Sequence, residues 1–252
     1  MNIPVINNSG NAAPDVTVNR EKYFRDPTLL TRWTVWLLYA GIALTVLGML
    51  SGLLEYQLLT KLQRGDFATD AQAIAAAQAS DLRERILAIV RVLLFIVSGV
   101  LVLRWIHRAN FNARRLGARY LEFTPGWAVG WFFVPFANLV KPYQAMCEIW
   151  KASSDPVDWK HRTVPALLLW WWLAWLAMSL LGNVTFRMTL QARTVEDFIT
   201  CNFMAQSGYA LDIVASVLLA WIINRVHEIQ MDEFARQSAE PSATPETAGG
   251  VY

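Results

Sequence analysis

Four apolar runs constrain this chain more than any other feature. Residues 33–54 carry no charged side chain, and neither do residues 164–184, which hold Trp170, Trp171, Trp172 and Trp175. Residues 86–106 are apolar apart from Arg91 and Arg104, and residues 200–223 carry a single charge, Asp212. A helix rises ~1.5 Å per residue, so about 20 apolar residues cross a hydrocarbon core about 30 Å thick. Hydrocarbon cannot satisfy backbone N–H and C=O groups, so spanning runs of this length are helices. Charged residues make up 17% of the chain, against about 25% in soluble domains. The expected fold is an all-α integral membrane protein, a four-transmembrane-helix bundle with spans near 33–54, 86–106, 164–184 and 200–223.

The flanks of these runs are polar. Residues 1–28, with Asn7, Asn8, Ser9, Gly10 and Asn11, have too little apolar surface to fold alone and are expected to be a disordered tail. Residues 231–252, with Pro241, Pro245, Gly249 and Gly250, are expected to be another, leaving 29–230 as the membrane domain. The first apolar run lies too far in and is too long for a cleaved leader, so it is read as an uncleaved anchor. Thr69-Asp70-Ala71-Gln72 has the form of a capping box and predicts a helix start ahead of the second span; Thr194 to Asp197 does the same for the fourth. Both helices are therefore expected to project beyond the bilayer.

A fifth apolar stretch, 124–141, behaves differently. Pro135 breaks a straight helix, and Gly126 and Gly130 weaken one. It predicts a re-entrant or interface-lying Pro- and Trp-rich segment between spans two and three, with a fifth span as the competing reading. An amphipathic helix is expected to follow over 142–152.

With four spans and both ends on one side, that side holds 15 of the lysines and arginines, the opposite side six, and Arg91 lies within a span. Basic residues concentrate in the cytoplasm, so both termini are expected there. Cys147 and Cys201 then fall on opposite sides and are expected not to pair.

Several side chains stand out as candidates. Arg91 and Asp212 are an expected intramembrane ion pair, read either as a structural bridge or as part of a proton relay. Arginines 104, 108, 114, 115 and 119 run directly into the proline-broken segment. Cations and an amphipathic hairpin meeting at the inner leaflet predict a headgroup or ligand cleft of Arg108, Arg115, Trp127, Trp131, Asn138, Lys141 and Tyr143. Asn138 has a second reading, as partner to carbonyl groups freed by Pro135. Gly48-x-x-x-Gly52 forms a small-residue face, suited to a homo-oligomer or to a helix of the same chain. His107, His161 and His227 follow no metal-binding spacing, and no phosphate loop, dinucleotide fingerprint or Gly-x-Ser-x-Gly is present. No cofactor, metal or nucleic-acid partner is expected.

The run from Phe123 to Ser153 (FTPGWAVGWFFVPFANLVKPYQAMCEIWKAS) resembles the signature of a bacterial membrane family, domain of unknown function 4328. The stretch from Trp105 to Gly117 (WIHRANFNARRLG) is similar to that family as well. The resemblance covers roughly residues 35–230. It implies a multi-pass protein of the bacterial cytoplasmic membrane, and it implies no reaction, ligand or catalytic residue. The function expected is a non-enzymatic component binding lipid, including anionic headgroups, or protein at the cytoplasmic face. The alternative is a small transporter or channel.

Overall fold

The computed structural model describes residues 24–239. Six helices follow in order: α1 (Thr28–Arg64), α2 (Asp70–Arg115), α3 (Pro125–Gly130), α4 (Lys141–Ser154), α5 (Ala166–Gln191) and α6 (Val195–Ala239). Short 3-10 turns occupy Trp131–Phe133, Ala137–Leu139 and Trp159–His161, and the described residues form no strand. Four of the helices, α1, α2, α5 and α6, are long and apolar enough to cross a membrane. The stretch 124–141 folds as α3 and two 3-10 turns, too short in each piece to cross.

The helix ends follow from local chemistry. Thr69 accepts the Gln72 N–H and starts α2. At α6 the capping is reciprocal: Thr194 accepts the Asp197 N–H at 3.2 Å, and the Asp197 carboxylate accepts the Thr194 N–H at 2.9 Å. Gly65 (φ 70°) closes α1 and Gly117 (φ 113°) closes α2. Both sit where the chain must turn left-handed, which only glycine does freely. Thr124 and Pro125 start α3, with Thr124 accepting the Trp127 N–H.

α6 packs along both α1 and α5, and α1 packs along α2, giving the order α2–α1–α6–α5. The α1 positions 31, 34, 38, 41, 45, 48, 52, 55 and 59 alternate three and four apart. That is the 3.5-residue repeat of left-handed helix packing. Most of them are buried and small or polar: Thr31, Thr34, Thr45, Gly48 and Gly52. The dense apolar core lies at one end, where α4 crosses beneath α6. Trp105, Ile106, Ala145, Met146, Ile149, Leu168, Ile222 and Ile223 meet there, nearly all fully buried.

One expected boundary shifts. The tail expected over 231–252 is helical as far as Ala239, because Phe234 stacks on Phe24 at 4.3 Å and Gln237 donates to the Leu116 carbonyl. Residues 240–252, like 1–23 of the other expected tail, lie outside the described residues. Both described ends of the chain thus lie on the same side of the bundle.

Candidate functional site

The end of the bundle that holds α3 and α4 is built from side chains that replace backbone partners. Asn112 brackets Arg25, donating to its carbonyl at 2.9 Å and accepting its N–H at 3.3 Å. Trp105 donates its indole N–H to Thr31, and Gln230 donates to the Ala109 carbonyl and to Ser153. Opposite charges grip the chain between α2 and α3. The Glu148 carboxylate accepts the N–H groups of Glu122 (2.6 Å) and Phe123 (3.1 Å). The Arg114 guanidinium donates to the carbonyls of Phe123 (2.6 Å) and Leu121 (3.3 Å). Burial pushes the Glu148 carboxyl above its ordinary range, against the pull of these two N–H donors. The Asn110 and Asn112 side chains, interleaved with the arginines, are thus fully buried parts of this scaffold.

The proline-broken segment is fastened to α5. Trp172 donates its indole N–H to the Leu139 carbonyl at 2.9 Å, and Phe132 meets the Trp172 ring edge-on. The Asn138 backbone N–H reaches back to the Val134 carbonyl at 2.9 Å. The satisfier of carbonyl groups in this turn is therefore Trp172, not the Asn138 side chain. Phe136 takes a left-handed φ of 62°, a strained conformation for a bulky residue. The strain turns apolar side chains outward: Phe136 is 86% exposed and Phe133 70%, with Leu139 and Val140 beside them.

The seven residues of the expected cleft engage several different partners. Arg108 donates to the Asp26 carbonyl at 3.1 Å, beside the start of α1. Arg115 lies over the Phe111 ring, which Arg25 also covers. Trp127 and Trp131 pack ring on ring at 4.8 Å. Lys141 pairs with Glu122 at 3.3 Å and lies over Phe123. Tyr143 sits one turn before Cys147; burial and that thiol push its hydroxyl up to about 12. Arg108 and Arg115, seven residues apart, share one face of α2 about 10 Å apart along it, and serve different partners.

Arg91 and Asp212 do not form the expected ion pair. The Arg91 guanidinium lies over the Tyr209 ring, 3.8 Å from its centroid, and Asp212 accepts the Thr45 hydroxyl at 2.6 Å. They belong to a longer polar seam among α1, α2 and α6. Gln206 donates to the Met49 carbonyl, and Asn202 to the Gly52 carbonyl (2.9 Å) and to Glu55 (2.8 Å). Arg83 donates to Ser51 and Ser80, and Ser51 also bonds Glu84. A methyl group at Gly52 would collide with Gln206, and one at Gly48 would press on Arg91. The Gly48/Gly52 face is therefore filled by the chain's own helices rather than left for a second copy. This seam was not legible as a unit in the sequence, although its heptad spacing along α1 marks it.

Two cavities open along the α1–α6 contact, and none of the seven cleft residues lines either. One, about 740 Å³, is an apolar groove walled by Leu50, Leu53, Tyr56 and Phe203, with Asn202 and Gln206 on its floor. The other, about 340 Å³, lies at the start of α1 between Thr28, Arg32, Val35, Trp36, Tyr39 and His227. Asp26, beside its mouth, is held below the usual carboxylate range by the Thr28 hydroxyl and N–H. Cys147 and Cys201 are both free thiols, and burial pushes that of Cys147 up. Among the described residues no three His, Cys, Asp or Glu side chains gather as a metal-binding set.

No curated protein and no solved structure matches the chain. The model of one family, described as Domain of unknown function (DUF4328), matches residues 68–228, from just ahead of α2 to about three quarters of the way along α6. That range takes in the Glu148–Arg114 grip, the proline-broken segment and α4, and it exceeds half of the chain: the protein belongs to the DUF4328 family.

Proposed function

We propose that this is a multi-pass protein of the bacterial cytoplasmic membrane, with both termini in the cytoplasm, and that it acts there as a non-enzymatic lipid- or protein-binding component. The observation that carries the reading is α2. Its most apolar 18-residue window has a mean hydropathy of 2.9, and none of its residues is buried. Leu93, Phe95, Ile96 and Val97 all face outward while Asn110, Asn112, Thr34 and Thr45 are inside. In water that arrangement forfeits about 25 cal/mol for every Å² of apolar surface left exposed; in hydrocarbon it costs nothing.

The binding face is the end that carries α3 and α4. α5 has 26 residues, about 39 Å, which leaves about 5 Å outside the hydrocarbon at each end. Trp172 stands six residues into α5, about 9 Å along it. The turn fastened to Trp172 thus sits a few ångströms inside the inner leaflet, and Phe133, Phe136, Leu139 and Val140 meet lipid there. Lys141 follows at the headgroup level. A turn held outward at the expense of backbone strain at Phe136 suits an interfacial anchor or docking surface better than a folded core.

The test pairs alkaline extraction of membranes with single-cysteine labelling at positions 133, 136 and 157. Expected are retention in the membrane pellet, protection of positions 133 and 136 from a water-soluble maleimide, and reaction at 157. Release at alkaline pH, or equal labelling at all three positions, defeats the proposal. A second reading, a small transporter or channel, draws on the polar seam of Asp212, Arg91, Gln206 and Glu55 along α1, α2 and α6. Liposomes reconstituted with the protein and showing solute flux that Asp212→Asn abolishes are the outcome that favours it.

A further inference from the structure

We infer that the cavity at the start of α1 is a site for a phosphate-bearing amphiphile, seated with its anionic end on Arg32 and His227 and its apolar end along Trp36 and Tyr39. The inference rests on the reading of α1 and α6 as membrane spans and adds a ligand class and a place for it. Three observations point to it. The lining changes character with depth: Thr28 and Arg32 belong to the first turns of α1, Val35, Trp36 and Tyr39 to the next two. Trp36 lies about 12 Å and Tyr39 about 16 Å along the helix from Thr28, which matches the passage from headgroup to acyl chain within one leaflet.

The surroundings of the mouth also carry a cationic excess: of the two carboxylates near His227, Asp26 and Glu228, the second is already paired with Arg225 at 3.0 Å. Arg32 and Arg104 have no ion pair among the described residues. Arg25 and Arg104 are like-charged neighbours of Arg108, and Asp26 is the one carboxylate near both Arg108 and His227. Finally, His227 lines the cavity, and its Nδ1 is buried without a hydrogen-bond partner. Buried polar atoms in folded proteins are paired almost without exception; this ring nitrogen lies just behind the cavity wall, and a rotation of the imidazole would turn its N–H to an anionic oxygen there. The cavity volume, about 340 Å³, admits a headgroup and the first part of a chain, and the exposed Trp36 and Tyr39 rings border its open side.

Native mass spectrometry of the full chain in detergent tests this. The probes are phosphatidylglycerol and phosphatidylcholine with identical chains, and glycerol 3-phosphate as a phosphate without a tail. Phosphatidylglycerol is expected to be retained in preference to phosphatidylcholine. Arg32→Gln and, separately, His227→Gln should weaken that retention about tenfold, the loss of one charge-assisted contact. Lys61→Gln, the same charge change at the other end of α1, should leave it unchanged. Trp36→Ala should lower retention of both lipids while preserving their ratio, and glycerol 3-phosphate should not displace the lipid. Equal retention of the two lipids, equal effects of Arg32→Gln and Lys61→Gln, or displacement by glycerol 3-phosphate each overturns the inference. A chain that stays in the membrane on alkaline extraction but shows no headgroup preference sinks this site alone; a chain released by alkali sinks the membrane reading itself.

Discussion

Glu148 is the side chain whose removal should loosen the α3–α4 end of the bundle most. It is 6% exposed, and its two carboxylate oxygens take the N–H groups of Glu122 and Phe123, with Arg114 close by. Glu148→Ala leaves both N–H groups without partners, each worth about 1–3 kcal/mol when buried. Because the Glu122 N–H is only partly buried, the sum falls near ~3 kcal/mol. Glu148→Gln keeps one acceptor but turns an NH₂ group toward a second N–H, and should cost about half of that. For a chain of this size ~3 kcal/mol lowers the melting temperature by about 6–12 °C. The assay is thermal unfolding in detergent, followed by protease cleavage between residues 116 and 124, which the grip protects. The pH dependence gives an independent check. The folded-state carboxyl is raised above its unfolded value. Its stabilising contribution is therefore complete below the ordinary glutamate value near ~4.3 and is lost as pH rises through the raised one. The stability gap between the native chain and Glu148→Gln should accordingly widen on acidification from neutral pH. A Gln variant that melts with the native chain at both pH values refutes the reasoning.

Trp172→Phe keeps an aromatic ring for Trp175 and Phe132 but removes the donor to the Leu139 carbonyl; it should expose residues 131–140 to protease and cost about 1–2 kcal/mol. Gly52→Ala drives Gln206 off the Met49 carbonyl and should cost about 1–2 kcal/mol, most of it recovered in a Gln206→Ala background. Additive losses in that double-mutant cycle contradict the assignment. Exchanging the charges, Arg91→Asp with Asp212→Arg, should fail to restore expression, because Arg91 rests on Tyr209 and Asp212 on Thr45. Recovery of native levels in the exchanged chain would show that the two charges do act as a pair.

The long helices were legible because span length is a one-dimensional constraint: an uninterrupted run such as 33–54 has few ways to satisfy its backbone other than one helix. Their starts were legible because Thr69 and Thr194 act within four residues of themselves. The site was less so, because its parts are assembled by packing. The run from Arg104 to Arg119 looks like one basic patch in sequence. On the helix, Arg108 turns to the start of α1, Arg114 to the carbonyls of Leu121 and Phe123, and Arg115 to Phe111. Arg32 and His227 are far apart in sequence and ordinary in their surroundings. Only the antiparallel run of α1 against α6 brings them to one cavity. The unpaired Nδ1 of His227 has no counterpart in sequence at all.

The same packing explains why a charged or polar face can lie inside so apolar a chain. In hydrocarbon the association of helices gains little from burying leucine, since lipid is equally apolar, and is driven by close backbone approach and by interhelical hydrogen bonds. α1 supplies both along one heptad stripe. Gly48 and Gly52 let α6 come close enough for Asn202 and Gln206 to reach the carbonyls of Gly52 and Met49. At the α3–α4 end of the bundle the stripe ends in Thr34 and Thr31, the latter engaged by Trp105. There α4, α3 and the proline-broken turn add the dense apolar core that the rest of the bundle lacks. On the proposed membrane reading, the molecule is held by polar contacts where lipid would surround it and by apolar packing toward the α3–α4 end, each force used in the solvent in which it is strong.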